Sequence, residues 1–325
     1  MVWQRRLLTF ALLSLLAAGC GPARRPTAAS VKIAMGYVPN VQFAPMYVAL
    51  EKGYFADENL TVELDYGWET DILSLLGAGQ LRFAIASGEE IVLARARGVP
   101  VVYVFDWYNR FPVSVVSLAD KGITRPEQLI GKTVGIPAMF GSSYVGWRAL
   151  LHETGISEEQ VTLVTIGYTQ ATALTSGQVD AALCFYMNEP VQLTREGYRL
   201  NQILVADYVD LPAAGIITND ETVADDPELV SRVVRAFSRG LRYTLDNPDD
   251  AFEIAKRAVP EIAGNADTQR AVLDASIELW RTDDVGLSDA ETWRSAASFM
   301  LEAGLIDNQV DVDSLYTNRF VPAVK

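Results

Sequence analysis

VKIAMGYVPNVQFAPMYVALEKGYFADENLTVEL, residues 31–64, sets the architecture of this chain. Val31 to Tyr37 is a short apolar run read as a strand. Phe43 to Lys52 reads as a helix, closed by Gly53 as its C-terminal stop, and Leu60 to Leu64 alternates as a second strand. A helix between two strands implies a parallel pair, because an antiparallel pair needs only a tight turn. The pattern continues with a helix over Asp71 to Leu76 ending at Gly77 or Gly79, and a strand over Phe83 to Ala86. A helix over Glu90 to Arg97, stopped by Gly98, leads to a strand over Val101 to Phe105.

The same alternation then starts again. Lys132 to Ile136, Val161 to Val164 and Val179 to Leu183 read as strands, with helices over Tyr144 to Glu153 and Gln170 to Ser176. Gly79-Gln80-Leu81-Arg82-Phe83-Ala84 and Gly177-Gln178-Val179-Asp180-Ala181-Ala182 hold equivalent places in the two series, each a glycine stop followed by a buried strand. Phe111 to Leu118 reads as a strand crossing to the second series, and Ala213 to Thr218 as its return. The expected fold is therefore α/β with two lobes, each a mostly parallel sheet flanked by helices, joined by two hinge strands. Residues 31–113 and 214–325 form the first lobe and 114–213 the second. Helices over Glu228 to Leu245, Asp250 to Ala258, Asp267 to Arg281 and Ala290 to Ala303 are expected to brace the first lobe.

The segment before the fold has another plan. Arg5 and Arg6 precede an apolar run, Leu7 to Ala18, which is too short to span a bilayer comfortably. Leu16-Ala17-Ala18-Gly19-Cys20 resembles the lipobox of bacterial lipoproteins, in which the signal is removed and the cysteine carries the lipid. Residues 1–19 are then a signal peptide and 20–30, with Pro22, Arg24, Arg25 and Pro26, a lipidated tether on the extracytoplasmic face of the cell membrane. With Cys20 so used, Cys184 is the one cysteine left and no internal disulfide is expected. A formal charge of −14 argues against nucleic acid, whose phosphates would be repelled. The single histidine, His152, is expected on a water-facing helix surface, and no metal-ligand or triad spacing accompanies it.

In open α/β sheets, ligands bind beyond the carboxyl ends of strands. Here those positions carry Tyr37, Asn40 and Phe43, then Trp68 and Glu69, then Ser87 and Glu89, then Asp106, Trp107 and Tyr108. In the second series they carry Phe140, Ser142, Ser143 and Tyr144, then Tyr168, then Tyr186, Asn188 and Glu189. Aromatic faces suit a flat ligand, and acids and amides suit its NH groups and hydroxyls. For any single tyrosine or tryptophan, packing in the core explains the residue equally well. Ser142 and Ser143 either cap a helix or, with the free backbone N–H groups there, hold a polar edge or an oxyanion. Glu89 and Glu189 either accept from a ligand or supply charge to a helix N-terminus.

GYVPNVQFAPMYVALEKGYF (residues 36–55), Gly79-Gln80, and ITRPEQLIGKTVG (residues 123–135) resemble the thiamine-pyrimidine-synthase-like (NMT/THI-like) group of periplasmic substrate-binding proteins. The resemblance implies a type II-like binding-protein fold that works with a permease and its ATPase in an ATP-binding-cassette importer. Relatives bind sulfonates, nitrate, thiamine pyrimidines or riboflavin. Pro39-Asn40 and the aromatic strand ends are most similar to the pyrimidine and riboflavin branches, and Glu69, Glu89, Asp106 and Glu189 disfavour anions. Riboflavin is the expected ligand, with formylaminopyrimidine or hydroxymethylpyrimidine as the alternative. Some relatives make the pyrimidine from their own histidine with a pyridoxal cofactor and carry a cysteine-rich motif. This chain lacks that motif, so no catalysis, cofactor or metal is expected; a sensory or adhesive lipoprotein is the third class.

Overall fold

The computed structural model describes residues 28–323, so the signal peptide, Cys20 and most of the tether lie outside the described residues. The first strand, β1 (Ala29–Met35), begins two residues before Val31, because Ala29 and Ser30 pair with Leu60 and Thr61. The chain continues through α1 (Ala44–Glu51), α2 (Tyr54–Asp57), β2 (Leu60–Tyr66), α3 (Glu69–Gly77), β3 (Phe83–Ser87), α4 (Gly88–Ala96) and β4 (Val101–Asp106). It then crosses to β5 (Val113–Leu118), β6 (Thr133–Ile136), α5 (Gly141–Thr154), β7 (Thr162–Thr165), α6 (Gln170–Thr175), β8 (Ala181–Phe185), α7 (Glu189–Arg195) and β9 (Leu200–Leu204). The return strand β10 (Ala214–Asn219) leads into α8 (Asp220–Asp225), α9 (Pro227–Asp246), α10 (Pro248–Ala258), α11 (Ala266–Trp280) and α12 (Ala290–Glu302).

Two five-stranded sheets result, ordered β2-β1-β3-β10-β4 and β7-β6-β8-β5-β9. In each, four strands run one way and the crossing strand runs against them: β10 is antiparallel to β3 and β4, and β5 to β8 and β9. The reason is geometric. A chain leaving one sheet at the carboxyl ends of its strands enters the other sheet at that same edge, so it must run away from it.

The two glycine stops are structurally equivalent. Gly79 and Gly177 both adopt left-handed φ, 70° and 71°. In both places the glycine N–H returns to a carbonyl three residues back, and the next two N–H groups share one earlier carbonyl, that of Leu75 or of Ala173. Both then deliver the third strand of their series, β3 or β8, to the same place beside β1 or β6.

One apolar core runs through the helix-covered faces and across the hinge. A smaller cluster around Val116, Leu174, Cys184 and Leu193 sits on the second sheet. At the hinge, Trp107 packs on Trp280 and Phe237 with ring centroids 5.4 and 5.1 Å away. The C-terminal helices brace the first sheet as expected, α9 and α10 lying on α1, but α11 also packs on α7 and α12 on α5. Arg148 of α5 ties this second contact by donating to the Ala303 carbonyl at 2.6 Å. Where α9 crosses α1, a Cβ added at Gly240 would lie 2.3 Å from the Pro45 carbonyl oxygen and 2.8 Å from Ala49 Cβ. Gly240→Ala gains helix propensity of about 1 kcal/mol yet forces the helices apart, so a net loss of about 1–2 kcal/mol is expected as a lowered urea midpoint. An unchanged midpoint would show that the crossing relaxes freely.

Candidate ligand-binding cleft

The carboxyl ends of β1, β2 and β3 face those of β6, β7 and β8, and between them lies a cleft of about 970 Å³, counting its open mouth. That size lies within the range for small-molecule sites. One wall is built by Tyr37 after β1, Trp68 to Thr70 after β2, and Ser87 ending β3, with Gln42 and Phe43 from the short 3-10 turn before α1. The other wall carries Phe140 to Ser143 at the start of α5, Tyr168 and Gln170 around the start of α6, and Phe185, Asn188 and Glu189 between β8 and α7.

The walls meet through rings and hydroxyls. Trp68 stacks on Tyr168 from the opposite sheet, centroids 5.1 Å apart and planes 13° apart. Phe140 meets the Trp68 ring edge-on at 5.5 Å, and Tyr37 meets Tyr168 at 5.2 Å. Trp68, Phe140 and Tyr168 are each more than 40% exposed at the mouth, a cost that soluble proteins rarely meet in one patch without use. Deeper in, the Ser142 hydroxyl donates to Ser87 Oγ at 2.7 Å, and the Ser87 hydroxyl donates to Glu69 Oε1 at 3.2 Å, so the two sheets share one hydrogen-bond chain.

The electrostatics are those of carboxyls short of partners. Burial, and then the nearby Glu90 charge, push Glu69 up to about 8, opposed only by the N–H and hydroxyl of Ser87. Burial also raises Glu90 to about 7, where Arg97 and the Gly141 N–H oppose it, and Glu189 to about 7 against the N–H groups of Glu189 itself and Phe185. Glu89 is fully buried beneath the cleft and driven well up by burial and by Glu69 and Glu90. Among the residues lining the cleft there is no lysine, arginine or histidine. Among the described residues, no cluster of histidine, cysteine or acidic side chains is arranged to hold a metal ion.

Of the positions singled out in the sequence, Trp68, Ser87, Ser142, Ser143, Tyr168, Asn188 and Glu189 line the cleft together. Six others stand elsewhere. Asn40 caps the turn that carries Gln42, accepting from its N–H at 3.0 Å. Glu89 lies below the floor. Asp106 and Trp107 border a separate polar cavity at the hinge with Asp210 and Asp284, because β10 enters between β3 and β4 and pushes the end of β4 aside. Trp107 is 2% exposed and belongs to the core. Tyr144 accepts from Arg148 at 3.1 Å outside the cleft lining, and Tyr186 packs half-buried against the core. Glu69, Tyr37, Phe43, Tyr108 and Phe140, all strand-end positions, do reach the cleft. Gln42, Gln170 and Phe185 reach it with no sequence signal beyond lying near strand ends.

Two α/β units, each with a counter-running hinge strand and a cleft between facing strand ends, define the periplasmic binding protein fold. The aliphatic sulphonate-binding protein SsuA from Escherichia coli superposes with a TM-score of 0.74 at 13% identity, covering 93% of this chain and 95% of that one. Residues 40–251 match the family model described as NMT1/THI5 like, and the chain belongs to that family. It is 40% identical over 310 residues to riboflavin-binding protein RibY of Chloroflexus aurantiacus, spanning 93% of this chain and 88% of the relative. It is 28% identical to a formylaminopyrimidine-binding protein of Halalkalibacterium halodurans, over 83% and 84% of the two chains. At 23% identity, over 90% and 92%, it is also similar to 4-amino-5-hydroxymethyl-2-methylpyrimidine phosphate synthase of Legionella pneumophila, so the family includes enzymes.

Proposed function

We propose that this chain is an extracytoplasmic capture protein that binds riboflavin, or a vitamin of similar flat ring, and delivers it to the permease of an ATP-binding-cassette importer. The observation that carries the reading is the ring set at the mouth: Trp68 from one sheet faces Tyr168 from the other, flanked by Tyr37 and Phe140. Two opposed aromatic faces hold a planar ligand on both sides. The 40% identity to RibY supports the flavin in particular. A thiamine pyrimidine is the second reading, favoured by Glu69 and Glu189 as acceptors for amino groups and by the formylaminopyrimidine-binding relative.

Binding, not catalysis, suits the cleft. Pyridoxal chemistry requires a lysine amine, and the lining residues include none. His152 sits away from the cleft, its Nε2 3.5 Å from Glu302 and its ring on Phe299. The lobes 31–113 with 214–325 and 114–213 move as units about β5 and β10 and present the closed form to the permease. Cys20 anchors the chain by lipid, and among the described residues no helix is long and apolar enough to cross a membrane. The test is an equilibrium titration of the purified chain with riboflavin, following quenching of flavin fluorescence. Saturation at micromolar ligand is expected; binding of formylaminopyrimidine with no flavin signal would replace the ligand. A Cys20→Ser chain that stayed on the membrane would remove the anchor.

A further inference from the structure

We infer that the cleft takes its ligand only in uncharged form and discriminates against the phosphomonoester of the same molecule. This rests on the reading above, in which the ligand is an aromatic ring with a hydroxylated arm. Three separate observations lead to it.

The first is where a phosphate would have to sit. The exposed rings of Trp68, Phe140 and Tyr168 hold the mouth, so the flat part of the ligand lies there and the arm points inward, toward Ser87, Ser142 and Ser143. No cation waits at that inner end, and Glu69 does. A phosphate there would lose its water and meet a carboxyl.

The second concerns the helix N-termini, the remaining means of holding an anion. Helices α3 and α4 carry their own acids in the first turn: Glu69 and Asp71 in one, Glu89 and Glu90 in the other. Helix α5 has no acid in its first turn, and its first residues Gly141 to Ser143 line the cleft beside Ser87, so it is the helix start best placed to hold an anion at that inner end. Its first serine is already engaged by the opposite sheet. The Ser142 hydroxyl is committed to Ser87, and the Ser87 hydroxyl in turn to Glu69. A carboxyl of the opposite sheet thus ends the hydrogen-bond chain that an anionic ligand's oxygens would have to break into.

The third is a neutral donor left without a partner. Gln42 faces the cleft at 5% exposure, and its amide Nε2 is buried with no hydrogen bond. A buried unpaired amide costs free energy that a ligand carbonyl or hydroxyl would recover, without adding charge. The cleft therefore offers its ligand neutral donors, hydroxyls and carboxyls.

The experiment compares two alcohol and phosphate pairs on the purified full chain: riboflavin with riboflavin 5′-phosphate, and hydroxymethylpyrimidine with its phosphate. Whichever alcohol binds, its phosphate is expected to bind at least about 100-fold more weakly, equivalent to about 2.7 kcal/mol. In Glu69→Gln, where the inner end of the cleft loses its carboxyl, the ratio between the two is expected to narrow by about tenfold. Equal binding of riboflavin and its phosphate would overturn the inference and leave the flavin reading standing. Binding confined to the pyrimidine pair, with the phosphate weaker, would overturn the flavin reading and support the inference. Preference for either phosphate, or no binding of any of the four, would overturn both.

Discussion

Trp68→Ala combined with Tyr168→Ala is expected to weaken riboflavin binding several-hundred-fold while leaving the fold intact. Each ring offers one face to a planar ligand, and loss of both removes the apolar contact and the stacking preference together. The loss is about 3–4 kcal/mol, and each 1.4 kcal/mol is tenfold in Kd. Folding is spared because both rings are exposed, 42% and 46%, and exposed positions usually change stability by less than about 0.5 kcal/mol. Ligand entry must also part the rings. Their centroids stand 5.1 Å apart, and a flat ligand between them needs two contact gaps of about 3.5 Å each, so the walls separate by roughly 2 Å. Flavin titration of the double variant beside a thermal melt checks both halves. Unchanged affinity would mean that the ring set merely seals the cleft.

Stability is expected to fall as pH rises from 5 to 8, by about 3 kcal/mol, with Glu69 responsible for the largest share. In the unfolded chain a glutamate releases its proton near its ordinary value of about 4.3, whereas Glu69 holds its proton to about 8 and Glu90 and Glu189 theirs to about 7. Between those values the folded state binds more protons than the unfolded state, so stability declines with rising pH. The contribution is fully present below the unfolded value and is lost as pH passes the folded values. Glu69 keeps some contact with the cleft, so its own share is on the order of 1–2 kcal/mol. Glu69→Gln should therefore flatten the dependence and raise the melting temperature at pH 8.5. A wild-type melting temperature constant between pH 6 and pH 8.5 would show that these carboxyls find water or partners in solution.

Much of this architecture is legible in the sequence because glycine stops and short apolar runs carry it. The paired segments at Gly79 and Gly177 show it best: the same φ, the same return hydrogen bonds and the same place in the sheet follow from one local pattern. Helix α7 and strand β9 escape notice. β9 reads LNQIL and is a half-exposed edge strand, so neither alternation nor continuous apolarity marks it. The site was readable as a set of strand ends but not as a selection among them. Which ends converge depends on β10 entering between β3 and β4, a non-local fact that sends Asp106 and Trp107 to the hinge while Tyr108 still reaches the cleft.

Glu90 shows the same limit. Its place in the first turn of α4 accounts for it locally as charge at a helix N-terminus. Helix α5 of the other sheet packs on α4 only once the lobes face each other, and Glu90 is then buried at 4% exposure. Gln42 likewise carries no motif. Asn40 caps the turn that aims it, so the residue that the sequence favoured acts by positioning its neighbour.

The central claim is that a flat vitamin ring is gripped between the two sheets, and a crystal structure of the full chain grown with riboflavin tests it most directly. The account predicts the ring system between the Trp68 indole and the Tyr168 phenol, with the ribityl arm directed toward Ser87 and Ser142. A flavin bound elsewhere, with the Trp68–Tyr168 stack still closed, would contradict it.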